Sequence, residues 1–237
     1  YKTMNITSNI RIGPAGWHYK DWYGYVYPET GDSDFKELDY LCQFVDTAEI
    51  NSTFYRPANT FMASAWVRKV AHNPGFLFTA KLWNRFTHER TPCTNEDVDL
   101  YLQGIDPLME AGKLGALLFQ FPFSFKNSEE SRKYLSQLFQ TFSAYPIVLE
   151  VRHNTWNHDS VYEFLDKSNV SIAAIDQPVI GKSITLQPVQ TGPIGYVRLH
   201  GRNYKHWFSK ISQKKENASL RYDYLYTQKE IDEIAEV

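Results

Sequence analysis

Pro146-Ile147-Val148-Leu149-Glu150-Val151-Arg152-His153 is an apolar run that turns charged at its end. A strand covered on both faces reads as near-continuous Val, Ile, Leu and Phe, so this run predicts a buried parallel strand. Six other stretches read alike: Ile10–Gly16, Thr47–Phe54, Phe76–Trp83, Gly115–Pro122, Ser171–Asp176 and Ile194–Gly201. Polar groups gather at their C-terminal ends, namely Glu49, Asn51, Lys81, Gln120, Glu150, Arg152, Asp176, Arg198 and His200. A helix-like stretch follows each run, at the roughly 30-residue interval of a βαβ unit. The alternation predicts an α/β chain, a (β/α)8 TIM-like barrel of parallel strands whose C-terminal strand ends carry the functional site.

Helices are expected at Phe35–Phe44, capped by Asp34 or Ser33, and around Phe61, Ala65, Trp66 and Val70, capped by Asn59 or Thr60. Others are expected near Asn95–Glu110, Ser128–Phe142 and Asp159–Lys167, with a last one starting near Thr227. The caps are Ser, Thr, Asp and Asn, whose oxygens accept from the free N–H groups of a first turn. The chain stops at Val237 inside that last helix. One TIM-barrel domain over residues 1–237 is therefore expected, lacking its final strand and helix.

The 237 residues suit one barrel domain, and 43% apolar content with 16% aromatics can fill a large core. A formal charge of −2 gives no global field for nucleic acid. The one basic cluster, Lys205 to Lys215, reads as a solvated loop. Cys42 and Cys93 form no CxxC pair and no disulfide framework, which points to a reducing compartment. Cys42 reads as a small buried hydrophobe. No stretch has the roughly 18 apolar residues of a membrane span, and no signal-peptide core precedes the domain, so a cytoplasmic protein is expected.

Side chains two apart on a strand share a face, so Glu49 pairs with Asn51, Glu150 with Arg152 and Arg198 with His200. If Lys81, Gln120 and Asp176 join them, carboxylates, cations and one imidazole meet at one mouth. Buried charges are costly unless paired, so such a set is either a stabilising ion-pair network or a site. As a site it offers Glu49, Glu150, His200 and Asp176 for acid–base catalysis. Lys81, Arg152 and Arg198 would hold an anion, with Asn51, Tyr55, Gln120, Trp17 and His88 as further binding groups. The aromatics Trp22, Tyr23, Tyr25, Trp156, Tyr204 and Trp207 would add flat walls for a sugar or base, although each is individually more often packing.

The expected partner is a small polar or anionic compound, sugar-like or phosphorylated. A divalent cation on Glu49, Glu150, Asp176 and His200 is the competing cofactor, opposed by the equal number of cations nearby. It would support a metal-dependent hydrolase or isomerase, including phosphodiester chemistry. A third reading is a binding or regulatory protein without turnover. His88, His153 and His158 are ligands, bases or ordinary caps. No GxGxxG, GxxxxGK[ST], GxSxG or HExxH occurs. The segment Arg202–Tyr226 is a candidate lid or an ordinary packed excursion. Oligomeric state is not legible.

Ile12-Gly13, Gly16-Trp17, Trp22-Tyr23-Gly24 and Glu49-Ile50-Asn51-Ser52-Thr53-Phe54-Tyr55-Arg56 resemble the YecE-like proteins, also called the domain of unknown function 72 family. The likeness continues through Phe76 to Lys81, Thr87-His88, Leu118–Pro122, Glu150-Val151-Arg152-His153 with Trp156, Arg198–Arg202 and Arg221–Tyr226. It covers nearly the whole chain and implies a TIM barrel but no reaction. Members of the family usually continue into a last strand with a paired asparagine motif, which this chain does not reach. Phe121 and Phe123 flank Pro122, where the family commonly has a second proline.

Overall fold

Glu150 and Arg198 share one side of a parallel sheet, and the order of strands that puts them there is the order of the chain. The structure, a computed structural model, describes residues 10–29, 34–90, 94–207 and 220–236. They divide into two compact units, residues 1–117 and 118–237. The strands are β1 (Thr47–Ile50), β2 (Leu77–Lys81), β3 (Leu114–Gln120), β4 (Ile147–Glu150), β5 (Ser171–Asp176) and β6 (Tyr196–Leu199). Each is a hydrogen-bonded neighbour of the next, and β3 runs through the boundary between the units. The pairs β1–β2, β4–β5 and β5–β6 are parallel. The α/β class with parallel strands is as expected.

In the first unit, α1 (Glu37–Leu41) precedes β1, and α2 (Ser52–Tyr55) and α3 (Thr60–Lys69) follow it. Helix α3 starts at Asn59, whose side chain accepts from Met62 N at 2.9 Å, and it buries Ala63 and Trp66. After β2 come a single π-type turn (Arg85–Glu89), α4 (Asn95–Leu102) and α5 (Asp106–Glu110). The one helix expected over Asn95–Glu110 is thus two. Helix α1 is shorter than expected: Lys36 stands at its N-cap without a side-chain bond, and Ser33 lies outside the described residues.

The stretch Ile10–Gly16 is not a strand, and this corrects the sequence reading. It runs beside β1, accepting at Ile12 O from Asp46 N (3.1 Å) and at Pro14 O from Glu49 N (2.9 Å). Proline has no N–H to return, so a regular ladder cannot form there. Gly13 comes so close to β1 that a Cβ would collide with Thr47 O. Ile10 and Ile12 are exposed rather than core.

In the second unit, α6 (Glu129–Thr141) follows β3 and α7 (Asp159–Lys167) follows β4; α8 (Tyr204–Trp207) and α9 (Gln228–Ala235) come after β6. Ser128 caps α6 through Ser131 N, and Glu129 and Glu130 favour its positive end. The stripe Leu135, Leu138 and Phe139 is buried at helical spacing, each side chain contributing about 1.5–3 kcal/mol. Phe139 and Phe142 pack on Phe119 of β3. Cys42, in the first unit, is fully buried, and burial pushes its thiol pKa up, the reverse of a reactive cysteine. Cys93 lies outside the described residues.

Thr227 opens α9 with a capping box: its hydroxyl accepts from Glu230 N, while Glu230 accepts from Thr227 N at 2.8 Å. Thr227→Ala is expected to cost about 1 kcal/mol in a urea denaturation series, with unchanged denaturant slope. A cost below about 0.3 kcal/mol would show that α9 does not rest on this cap.

Candidate functional site

The side chain of Glu150, last residue of β4, is fully buried and surrounded by donors. Gln120, at the end of β3, donates Nε2 to its Oε1 at 2.7 Å. Arg152 grips the same oxygen with Nε at 3.0 Å and Nη2 at 2.9 Å. Arg198 of β6 donates Nη1 to Oε2. His200 Nε2 stands 3.9 Å from Oε1 and 3.2 Å from Arg198 Nη1. Four side chains from three strand ends thus converge on one carboxylate.

Register explains the convergence. In-register partners of parallel strands project to the same side, and Ile175 pairs with Arg198 while Val148 pairs with Ser171. Counting by two, Glu150 follows Val148 and Ile175 follows Ser171, so Glu150 and Arg198 share a face. Burial alone would raise the Glu150 pKa. The charges of Arg198, then Arg152, then His200, with the Gln120 bond, outweigh it and hold the carboxyl far below the usual range. A carboxyl held low in this way is a weaker base than an ordinary carboxylate. It is better suited to fixing the two guanidinium groups.

Asp176 does not join them. Its partner is Leu199, so it projects to the opposite side from Arg198. There Arg202 binds it through Nε (3.0 Å) and Nη2 (2.8 Å), and the Tyr226 hydroxyl donates to Oδ2 at 2.6 Å. That hydroxyl also accepts from Gly201 N at 2.8 Å. Arg202 further reaches Glu230 and Glu233 of α9, at 3.6 and 3.3 Å. Nothing in the sequence alternation signals this network, because Gly201 takes φ +80° and breaks the count of two between His200 and Arg202. Any Cβ at Gly201 would also sit 2.6 Å from Tyr224 Cβ.

The first unit has a smaller pair. Glu49 and Thr79 are in register, so Glu49 and Lys81 face the same side, with Lys81 Nζ 3.5 Å from Glu49 Oε1. Lys81 also lies over the Phe54 ring at 5.8 Å. Asn51 is not beside Glu49, since β1 ends at Ile50 and Asn51 already has helical φ −80° and ψ −26°. Its Nδ2 donates to Ala15 O at 2.7 Å, tying down the preceding loop, and its Oδ1 is buried with no partner among the described residues.

Tyr55 is exposed on α2. His88 is exposed on the π-type turn, held by Thr87 Oγ1 at 2.9 Å and packed edge-on against Phe54. Trp17 packs on Trp66 and Phe78, and Phe78, the register partner of Ala48, is on the side opposite Glu49. Trp17 therefore belongs to the helix side of this unit.

His153 and His158 are caps, their Nδ1 atoms accepting from Thr155 N and Ser160 N. Trp156, one of the expected walls, is fully buried. A pair missed from the sequence is His18 with Glu37, 2.8 Å apart across 19 residues, a separation no local pattern reveals. Among the described residues no three His, Cys, Asp or Glu side chains are grouped to hold a metal ion. Glu150, Asp176 and His200, all in the second unit, do not form the ligand set the sequence offered. Most of the basic cluster, and nearly half of the candidate lid, falls in residues 208–219, outside the described residues. Among the described residues no helix is long and apolar enough to cross a membrane.

A family profile described as "Protein of unknown function DUF72" matches residues 11–237. The chain belongs to the DUF72 family. The DUF72 chain is 28% identical over 235 residues to the UPF0759 protein YunF of Bacillus subtilis, covering 94% of this chain and 81% of that protein. A crystal structure of a DUF72 family protein from Thermotoga maritima superposes with a TM-score of 0.78 at 29% identity, over 95% of this chain and 85% of that one. A DUF72 family protein from Enterococcus faecalis gives 0.75 at 25% identity, over 85% and 75% of the two chains. The likeness read from the Glu49–Arg56 and Glu150–His153 motifs is thereby confirmed at the level of the family.

Proposed function

We propose that this DUF72 chain is a TIM-like (β/α) barrel protein acting on a small anionic compound at the C-terminal ends of β4 and β6. Arg152 and Arg198 bind the anion, Glu150 keeps both guanidinium groups in place, and His200 transfers the proton. One observation carries the reading: a single fully buried carboxylate is shared by two arginines and a histidine. The cluster holds more positive than negative charge. An unbalanced charge removed from water is costly, so the surplus favours an anion. Arg152 suits that task. Its Nε and Nη2 edge is on Glu150, its Nη1 is not engaged there, and its side chain keeps 21% of its exposure. The Glu49–Lys81 pair sets one charge of each sign together.

Titration calorimetry with inorganic phosphate tests the binding step. Arg152→Met, which keeps bulk and loses the charge, is expected to weaken phosphate by about 10- to 100-fold, the value of one or two charged hydrogen bonds. Equal affinity in both proteins would end the proposal. Turnover is tested with a panel of phosphorylated and carboxylated compounds. Product from the wild type that disappears in His200→Gln supports catalysis, whereas binding without product makes the chain a binding protein.

A further inference from the structure

Beside the Glu150 cluster stands a set of rings that the anion-binding role leaves unused. The His200 ring lies 6.0 Å from Tyr222, inclined at 41°, and 6.4 Å from Trp207, inclined at 67°. Trp207 meets Tyr222 nearly at right angles, at 6.4 Å, so the three rings form one corner. Trp207 is buried, while Tyr222 keeps 52% of its surface open to solvent. The Arg221 guanidinium lies 5.6 Å from the centre of the Trp207 ring, and Arg221 Nε is a buried N–H with no acceptor among the described residues.

A buried donor without an acceptor is unfavourable, and a ligand oxygen would remove that penalty. An exposed aromatic ring beside one unsatisfied donor and a cationic cluster is the chemistry of a ring-bearing anion: apolar C–H faces stack, a hydroxyl oxygen accepts, and the charged group goes to the arginines. His200 joins the two halves, touching the ion-pair cluster at Nε2 and the aromatic corner with its ring.

We infer that the His200–Trp207–Tyr222 corner is a sugar subsite, and that the compound bound is a phosphorylated sugar whose phosphate lies on Arg152 and Arg198. The inference rests on the anion site proposed above. Sugar and phosphate bind side by side, so the expected readout is a ratio of affinities.

Calorimetry with inorganic phosphate, and then with glucose 6-phosphate, fructose 6-phosphate and ribose 5-phosphate, provides the test. At least one sugar phosphate is expected to bind the wild type about five- to tenfold more tightly than phosphate, the worth of one aromatic contact. In Tyr222→Ala that ratio is expected to fall to about one, and in Tyr222→Phe, which keeps the ring, to stay near the wild-type value. Phosphate binding with no gain from any sugar overturns the subsite and leaves the anion site standing. A ratio that survives Tyr222→Ala also overturns it. Failure of phosphate itself to bind overturns the anion site and the subsite together.

Discussion

Glu150→Gln is expected to destabilise the protein by about 3–5 kcal/mol, the cost of removing one partner from a buried ion pair. For a chain of this size each kcal/mol moves the melting temperature by about 2–4 °C, so a fall of about 10 °C is expected. The amide is nearly the shape of the carboxylate, and no cavity forms. What changes is charge: Arg198 and Arg152, which now share one carboxylate from its two oxygens, both lose that counter-charge. Glu150 is fully buried, so solvent does not screen the loss. Replacing Arg198 as well, in Glu150→Gln/Arg198→Met, is expected to recover part of it, since the leftover charge is the larger cost.

The same variant has a pH signature. The folded-state carboxyl has a pKa below its ordinary value, because Arg198 and Arg152 outweigh desolvation. A group of that kind contributes stability above the ordinary carboxylate range, and the contribution is lost as pH falls through that range toward the depressed value. Wild type and Glu150→Gln should therefore differ fully at neutral pH and converge below about pH 4. Thermal melts over a pH series read this directly. A gap that is constant with pH would show that packing, and not charge, is what the glutamine lost.

How far the sequence reaches can be judged residue by residue. Strand β5 and helix α7 have the bounds read from sequence, since an apolar run between a turn and a charged end leaves little choice of register. The set Gln120, Glu150, Arg152, Arg198 and His200 was also legible, because alternation by two holds along β4 and β6 and just past their ends. It was not legible that Asn51 leaves its strand. Thr53 Oγ1 donates to Ile50 O at 3.0 Å and to Lys81 O at 2.8 Å, and these bonds favour a helical turn over further extension. Nor could Asp176 be placed, since its side depends on pairing with Leu199, a relation between segments far apart in the chain. Nor could the number of cations around Glu150 be read, since Arg198 and His200 come from a strand far along the chain.

Trp156 shows why an aromatic residue next to a charged motif needs its surroundings before it needs a function. It follows Glu150-Val151-Arg152-His153 closely enough to suggest a ligand wall, yet none of its surface is exposed. Its ring stacks on Phe125 at 5.3 Å, Phe125 stacks on Phe121 at 4.1 Å, and its Nε1 donates to Phe125 O at 2.8 Å. Trp156→Ala is expected to cost about 3–5 kcal/mol, combining lost burial with the cavity left behind. The Phe125 carbonyl, deprived of its donor, adds to that cost. Trp156→Phe keeps the stack and loses the donor, so about 1–3 kcal/mol is expected. Both are read by urea denaturation at neutral pH. A ligand-wall tryptophan behaves in the opposite way, with stability nearly unchanged and binding lost. If Trp156→Ala costs less than about 1 kcal/mol while phosphate affinity collapses, the residue belongs to the site and not to the core.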